Sequence, residues 1–371
     1  MAKILFTGGG SAGHVTPNLA LIEQLRESNW DIHYAGSYDG IEKKLVKEIN
    51  IPYHAIATGK LRRYFSWQNF LTPFQVLKGV FQAISLCRKL KPDVVFSKGG
   101  FVAFPVVFAA WLNRIPVIVH EADITPGLTN KLSVPFAKMV CVSFPEAAKY
   151  YKNKVHVTGI PIRKALFEGN REKGLAYCHF NEEKPVILVF GGSLGASSIN
   201  KTIRECLPEL LPHYQVVHIC GANKVDESFN YPPQLLRDSS SHYAGEAKEK
   251  NSGYFQLEFV SAEIADLFAC ADLVISRAGA NSLYELLSLK KPHILIPLPT
   301  TGSRGDQIVN AEYYKKEGLS YVIADEELTP EKLINTIKTV MNEKEDIKKK
   351  LAAYPLPKSV DLICEMVEEL I

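Results

Sequence analysis

The chain has 371 residues, of which 46% are apolar and 22% charged, and its formal net charge is +3. This composition is typical of a folded globular protein and excludes a mainly disordered, collagen-like or coiled-coil chain. No run of about 18 uninterrupted apolar residues occurs, so we expect no membrane-spanning helix. The seven cysteines form no C-x-x-C pair, which favours reduced thiols in a cytosolic protein.

The charge is unevenly distributed along the chain. Residues 1–163 hold 20 Lys and Arg against 10 Asp and Glu, whereas residues 164–371 hold 23 against 30. A basic half in a nearly neutral protein predicts an anionic partner for that half. Nucleic acid, an acidic membrane surface and a phosphorylated substrate all remain open on this ground alone.

Short β-branched or aromatic runs alternate with helical stretches, which predicts βαβ units and parallel sheets. The first helix is expected over 16–26, with Thr16 as its N-cap. The alternation stops near 160–164 and then starts again, so the sequence predicts two doubly wound α/β domains. The runs that indicate strands are 4–7, 32–35, 94–97, 117–120, 140–142 and 155–158, then 186–190, 216–220, 255–259, 273–276, 293–297 and 321–323.

Glycine-rich turns follow the first strand of each predicted domain, at Gly8–Gly13 and Gly191–Gly195, and each leads into a helix. A strand–glycine–helix turn brings backbone N–H groups and a helix N-terminus close to an anion. The alternative is a tight turn without a ligand. Two such turns at matching places favour ligand sites at the carboxyl edges of the sheets.

Other cofactor signatures are weak or absent. The first turn has the bare G-x-G-x-x-G spacing, at Gly8, Gly10 and Gly13, which alone is a weak sign of a dinucleotide site, and the second turn lacks it. The chain contains no G-x-x-x-x-G-K-[ST]. The ten histidines form no H-x-x-x-H or H-E-x-x-H pattern, so we expect neither a catalytic metal nor a bound cofactor.

Three further clusters follow predicted strands, at Ser97–Phe101, His120–Asp123 and Ser276–Glu285. With the two glycine turns and Gly159–Arg163, they resemble the MurG family, the UDP-N-acetylglucosamine:lipid-I N-acetylglucosaminyltransferases of peptidoglycan synthesis. The matching patterns are T-G-G-x-x-x-G-H, H-E-x-[DN], G-x-P-[IV]-R, G-G-S-x-G-A and S-R-x-G-A-x-[ST]-x-x-E, in this order along the chain.

The resemblance implies a GT-B fold, in which two Rossmann-like domains face a central cleft. It assigns residues 1–162 with the C-terminal helix 356–371 to an acceptor-binding, membrane-facing domain, and residues 163–355 to the donor domain. It implies an inverting transfer of N-acetylglucosamine from UDP-N-acetylglucosamine to the muramyl 4-hydroxyl of lipid I. It further implies a peripheral protein on the cytoplasmic face of the bacterial cell membrane. Other cell-wall synthesis proteins are candidate partners.

The resemblance also implies roles for single residues. Donor-binding residues are expected at Ser11, Ala12, Gly13, Arg163, Ser193, Val260, Glu285 and Gln307. Acceptor-binding residues are expected at Gly99, Gly100 and Asp123. His14 is the first choice for the general base that takes the hydroxyl proton, and Glu121 is a second catalytic candidate. The sequence does not choose between His14, Glu121 and Asp123 as the base.

The segment 61–74 combines five aromatic residues with Arg62 and Arg63, and Lys78 and Arg88 follow. Aromatic and basic side chains together favour a surface that lies in a lipid interface. The alternative is a core helix with basic ends that reach solvent.

Three other functions remain as alternatives. They are a glycosyltransferase with another acceptor such as diacylglycerol, a sugar-nucleotide sensor without turnover, and a nucleic-acid-binding protein. The last is disfavoured because no nucleic-acid-binding motif occurs.

Overall fold

A computed structural model describes residues 1–59, 68–152, 154–192, 195–229, 253–301 and 303–371 of the chain. This part of the chain forms two compact units, Met1–Arg163 with Leu356–Ile371 and Lys164–Pro355. The division lies one residue later than the sequence predicts. None of the described helices is both long enough and apolar enough to cross a bilayer.

The first unit is built on a seven-stranded parallel sheet with the strand order β3-β2-β1-β4-β5-β6-β7. Its strands are β1 Lys3–Thr7, β2 Asp31–Gly36, β3 Tyr53–Ala55, β4 Val94–Ser97, β5 Val117–Glu121, β6 Met139–Val142 and β7 Val155–Val157. Its helices are α1 Thr16–Glu27, α2 Ile41–Glu48, α3 Gln68–Leu90, α4 Ala103–Leu112, α5 Leu128–Ser133 and the final helix α13 Ser359–Glu368.

The core of the first unit lies between this sheet and its helices. β4 and β5 are buried along their whole length, as expected for parallel strands covered on both faces. Helix α13 adds Ile363, Met366 and Val367 to the same core cluster as Ile4 and Leu21. The C-terminal segment is therefore part of the first unit's core.

The second unit repeats this plan with a six-stranded parallel sheet in the order β10-β9-β8-β11-β12-β13. Its strands are β8 Val186–Phe190, β9 Gln215–Ile219, β10 Tyr254–Leu257, β11 Leu273–Ser276, β12 His293–Leu295 and β13 Tyr321–Val322. Its helices are α6 Arg171–Tyr177, α7 Ser197–Leu210, α8 Ile264–Cys270, α9 Ala280–Ser288, α10 Asp306–Lys316, α11 Pro330–Asn342 and α12 Lys344–Ala353.

The predicted pair of Rossmann-like α/β domains is confirmed by these two parallel sheets. Two local predictions differ from the structure. Thr16 does not cap α1 but is its first residue, with Val15 in the cap position, and the Thr16 hydroxyl donates to the Ala12 carbonyl at 3.3 Å. Strand β3 has no counterpart among the predicted strands, because its three residues are only half-buried and lack a clear apolar pattern.

In each sheet the strand order reverses at one point, between β1 and β4 in the first unit and between β8 and β11 in the second. Ligands of open α/β sheets collect outside the carboxyl ends of the strands at such a reversal, because the neighbouring loops diverge there. The loops after these four strands are therefore the candidate site loops.

Candidate functional site

In the first unit, the loops after β1 and β4 pack directly on each other. The Lys98 amide donates to the Thr7 carbonyl at 2.9 Å. Gly100 has a left-handed backbone with φ of 81°, and a Cβ there would collide with the carbonyl oxygen of Gly9. Only glycine fits this contact. Gly99 and Gly100, expected as acceptor-binding residues, therefore also have a packing reason to be glycine.

His14 lies at this loop junction, at the end of the turn Ala12–His14 that leads into α1. Its ring is half-buried, and Nδ1 lies 3.1 Å from the carbonyl oxygen of Lys98. Ser11 is exposed, whereas Ala12 and Gly13 are half-buried. The structure thus brings the predicted base into contact with the loop that carries Gly99 and Gly100.

Glu121 has a different environment from His14, because its carboxylate is buried and saturated with hydrogen bonds. It accepts from the backbone amides of Ala122, Asp123 and Gly127 at 3.0, 3.3 and 2.8 Å. The Asn130 side-chain amide donates a further hydrogen bond at 3.0 Å. These four hydrogen bonds engage both carboxylate oxygens within the loop that follows β5 and the start of α5. This geometry favours Glu121 as the anchor of the β5–α5 loop over Glu121 as a base.

Lys98 is a buried charge that sequence reasoning left without a role. Its side chain is 1% exposed, and among the described residues Nζ has no hydrogen-bond partner. Burial lowers the pKa of Lys98 to about 8, although the carboxylates of Glu121 and Asp123 act in the opposite direction. In the sequence, this buried lysine is marked by its position between an apolar strand and two glycines. Asp123 itself is half-buried beside Glu121.

In the second unit, helices α7 and α9 begin at the loops where the strand order reverses. Their N-cap residues, Ala196 and Gly279, make no side-chain capping hydrogen bond. Uncapped first-turn amides and the helix dipole favour an anion at these positions. Ser193, expected to hold the diphosphate, lies outside the described residues, and so do residues 61–67 of the predicted lipid-facing segment 61–74.

Arg277 ties these second-unit loops together. Its guanidinium forms an ion pair with Asp325 at 2.6 Å and donates to the Ile296 and Pro297 carbonyls at 3.0 and 3.2 Å. It also donates to the Ser198 hydroxyl at 3.0 Å, in the first turn of α7. Arg277 is almost fully buried and therefore fixes the start of α7 against the end of β12. The S-R-x-G-A motif contained this arginine, but its partners could not be read from the sequence.

The other predicted donor residues lie at separate places in the fold. Val260 follows β10 and is half-buried, and Glu285 is half-buried on the second turn of α9. Gln307 is the second residue of α10, and its Oε1 accepts from the Leu298 amide at 3.0 Å. This bond leaves the amino group of Gln307 on the side of Gly279, at the start of α9. Arg163 is half-buried and is the last residue of the first unit's N-terminal segment.

Large apolar side chains are exposed on three helices of the first unit, α3, α4 and α5. On α3, Phe74, Leu77 and Phe81 recur at helical spacing and are 71%, 55% and 70% exposed. Further exposed apolar side chains lie at the end of α4 and on α5, and exposed basic residues accompany them. The apolar residues are Trp111, Leu112, Leu128 and Leu132, and the basic ones are Lys78, Arg88, Arg114 and Lys131. We call these apolar side chains, with the basic residues beside them in the sequence, the apolar face.

No group of three His, Cys, Asp or Glu side chains in the described ranges is placed to hold a metal ion.

Residues 4–142 match the N-terminal domain of glycosyltransferase family 28, and residues 186–363 match the C-terminal domain of the same family. The chain belongs to glycosyltransferase family 28. Each match covers the strand reversal of one unit and the two loops that follow the reversing strands.

Curated relatives of this family 28 protein match it over nearly its whole length. One is the UDP-N-acetylglucosamine--N-acetylmuramyl-(pentapeptide) pyrophosphoryl-undecaprenol N-acetylglucosamine transferase of Legionella pneumophila. It is 50% identical over 369 residues, 99% of this chain and 96% of the relative. A transferase of the same name, numbered 2, from Bacillus cereus is 50% identical over 370 residues and all of both chains. The predicted membership in the MurG group of family 28 is thereby confirmed.

Solved structures agree with this family 28 assignment. The crystal structure of Acinetobacter baumannii MurG is 27% identical, with a TM-score of 0.75 over the whole of both chains. A UDP-GlcNAc 2-epimerase from Neisseria meningitidis, bound to UDP-GlcNAc, has a TM-score of 0.66 at 15% identity, which supports the fold alone. The predicted GT-B fold class is confirmed.

Proposed function

We propose that the chain transfers N-acetylglucosamine from UDP-N-acetylglucosamine to the muramyl 4-hydroxyl of lipid I, with inversion at the anomeric carbon. The observation that carries the proposal is the 50% identity, over nearly the whole chain, to transferases whose names state this donor and acceptor. No cofactor takes part in the proposed reaction.

We assign the donor to the second unit and the acceptor to the first. Glu285 accepts hydrogen bonds from the ribose hydroxyls, and Val260 meets the uracil with its backbone. Gln307 offers its amino group to the sugar, because its oxygen is already bound by Leu298. The diphosphate is held by the start of α7, with Ser193 and Arg163, since a leaving UDP gains negative charge. We also assign Ser11, Ala12 and Gly13 a role in donor binding.

His14 takes the hydroxyl proton in this mechanism. A carbonyl oxygen can only accept, so the Lys98 carbonyl holds the proton of a neutral imidazole on Nδ1. The lone pair is then on Nε2, where a base needs it. Gly99, Gly100 and Asp123 line the acceptor side. Glu121 shapes the loop that carries Asp123 and takes no proton.

The apolar face supports a peripheral position on a membrane, and we propose the cytoplasmic face of the bacterial cell membrane. The acceptor's lipid chain holds it in the bilayer, so an enzyme with exposed Phe74, Leu77 and Phe81 gains access by docking there. The basic residues around these side chains suit anionic headgroups.

The test is UDP release from UDP-N-acetylglucosamine, measured with a lipid I analogue, with diacylglycerol and without an acceptor. We expect release that depends on the lipid I analogue. Equal release with diacylglycerol would assign the protein to another acceptor class. Binding of UDP-N-acetylglucosamine without release under any condition would favour the sensor.

A further inference from the structure

A buried carboxylate lies beneath the first glycine turn, outside the residues assigned so far. Glu42 is the second residue of α2 and is 0% exposed. Its Oε2 accepts from the Gly10 amide at 3.1 Å, and its Oε1 accepts from the Ser37 amide at 3.0 Å and from the Ser37 hydroxyl. The carboxylate thus joins the loop after β1 to the loop after β2.

The surroundings of Glu42 leave little freedom for its carboxyl group. A Cβ on Gly9 would lie 2.5 Å from the Glu42 Cδ, and a Cβ on Gly36 or Gly40 would lie 2.8 or 2.1 Å from the same side chain. Among the described residues, no Lys, Arg or His forms an ion pair with Glu42. Its charge is therefore balanced by backbone amides and one hydroxyl. Burying a charge in this way is costly unless every hydrogen bond is made.

The same turn has a second anchor two residues earlier. The Tyr34 hydroxyl donates to the Gly8 carbonyl at 2.7 Å, and the Asn18 side-chain amide donates to the Tyr34 hydroxyl at 3.1 Å. Tyr34 and Asn18 hold Gly8, and Glu42 holds Gly10. Gly10 lies four residues before His14, so the Gly10–Glu42 bond holds the chain just before the turn that bears the proposed base.

We propose that Glu42 is a positioning residue for the transfer reaction, which holds the glycine turn so that His14 meets the acceptor hydroxyl. The proposal rests on the proposed function. The Gly10 amide, which a glycine turn would offer to a phosphate, is occupied by this internal carboxylate. Misplacement of a catalytic group by about 1 Å can cost 10²-fold in rate. The effect of Glu42 therefore appears in kcat and not in donor binding.

The experiment compares Glu42→Gln and Glu42→Asp with the wild-type enzyme. Glutamine keeps the shape of the Glu42 side chain but turns an amino group towards an N–H donor. Aspartate keeps the carboxylate but is one methylene too short to reach the same donors. We expect kcat to fall by about 10–100-fold while the KM for UDP-N-acetylglucosamine changes by less than about twofold. In a His14→Ala background, Glu42→Gln should lower kcat by less than about threefold, because residues that act as a unit are not additive.

Asp93→Asn is the control, since Asp93 accepts from the Lys3 amide at 2.7 Å, before β4 and away from the glycine turn. It should leave kcat and KM within about twofold of wild type. A kcat of Glu42→Gln within twofold of wild type, or an equal loss with and without His14, would overturn the proposal. If Glu42→Gln does not fold, Glu42→Asp gives the same comparison.

Amide hydrogen exchange of residues 8–14 separates this proposal from the proposed function, because it needs no acceptor. We expect roughly tenfold faster exchange in Glu42→Gln at this turn, with the peptides of β4 and β5 unchanged. Unchanged exchange at 8–14 would refute the positioning role even in an active enzyme. If exchange at this turn is faster in Glu42→Gln but the wild-type protein does not use lipid I, the proposed function is refuted, whereas the role of Glu42 in holding the loop is supported.

Discussion

The imidazole of His14 and the backbone carbonyl of Lys98 form a contact of 3.1 Å between the two loops where the first sheet reverses its strand order. The contact links the proposed base to a backbone atom, so it survives substitution of the Lys98 side chain. It also fixes which ring nitrogen carries the proton, since only Nδ1–H can donate to the carbonyl. If His14 is the base, this backbone contact sets its tautomer.

Replacing His14 by Ala should lower kcat by about 10²–10⁴, because general base catalysis contributes on this scale. The affinity for UDP should change little, since the donor is assigned to the second unit. Steady-state kinetics with a lipid I analogue and UDP titration check the two parts. The control is His156→Ala, an exposed histidine of β7, and a normal kcat for His14→Ala would contradict the assignment.

Replacing Glu121 by Gln should have a different signature from the loss of His14. The substitution replaces one carboxylate oxygen, which accepts hydrogen bonds, by an amino group that faces the same N–H donors. We therefore expect the free energy of unfolding to fall by about 1–3 kcal/mol. We expect kcat to fall by less than about tenfold, because the carboxylate takes no proton in the mechanism. Thermal unfolding and kinetics measured on one preparation distinguish the two effects. A loss in kcat as large as that of His14→Ala, at unchanged stability, would restore Glu121 as the base.

The fold was predictable because its signals are local. Buried parallel strands such as β4 and β8 are short apolar runs, and glycines mark the turns that follow them. The contacts within the site were not predictable, because they join residues distant in sequence. Glu42 and Gly10 are 32 residues apart, and Arg277 and Ser198 are 79 apart. Nothing in the local sequence distinguishes the buried Glu42 from an exposed helical glutamate.

Replacing Glu285 by Ala should raise the KM for UDP-N-acetylglucosamine by about 10–100-fold. A carboxylate that accepts hydrogen bonds from ribose hydroxyls contributes roughly 1.5–3 kcal/mol for each bond. Stability should be nearly unchanged, since the side chain is only half-buried on α9. Calorimetric titration with UDP gives the affinity directly, with Glu312→Ala on α10 as a control for an exposed glutamate side chain. Wild-type UDP affinity in Glu285→Ala would show that the donor lies elsewhere.

Acid should destabilise the second unit through His218. Burial, with the charge of Arg204 in addition, lowers the pKa of His218 to about 3, and its ring bonds Tyr254 and Asn200 at 2.9 and 3.0 Å. Between about pH 6.5 and 3 the unfolded chain therefore binds a proton that the folded chain does not. Stability falls as the pH drops through this window, by roughly 2 kcal/mol at pH 5.

Denaturant unfolding of the wild type and of His218→Gln, followed from pH 7.5 to pH 4.5, tests this sign. The variant is expected to be less stable at neutral pH and to lose less stability on acidification. His213→Gln, an exposed histidine of the same unit, should keep the wild-type slope. Parallel pH curves for the wild type and His218→Gln would exclude His218 as the cause of the acid sensitivity.

Replacing Phe74, Leu77 and Phe81 together by Ser should reduce sedimentation with anionic vesicles. These side chains are exposed, so the protein should fold and keep its activity on a soluble acceptor analogue. High salt should weaken the wild-type association without abolishing it, because basic residues contribute about 1 kcal/mol each and apolar burial is insensitive to salt. Phe167→Ser, an exposed phenylalanine of the second unit, serves as the control. Undiminished vesicle binding of the triple variant would show that the apolar face does not bind the membrane.

The product itself shows whether the enzyme joins N-acetylglucosamine to the muramyl sugar of lipid I. We would determine the mass and linkage of the product formed from UDP-N-acetylglucosamine and a lipid I analogue. We expect one added N-acetylhexosamine, β-linked to the muramyl 4-hydroxyl, because a single displacement inverts the α-linked donor sugar. An α-linked product, or a product formed only on diacylglycerol, would contradict it.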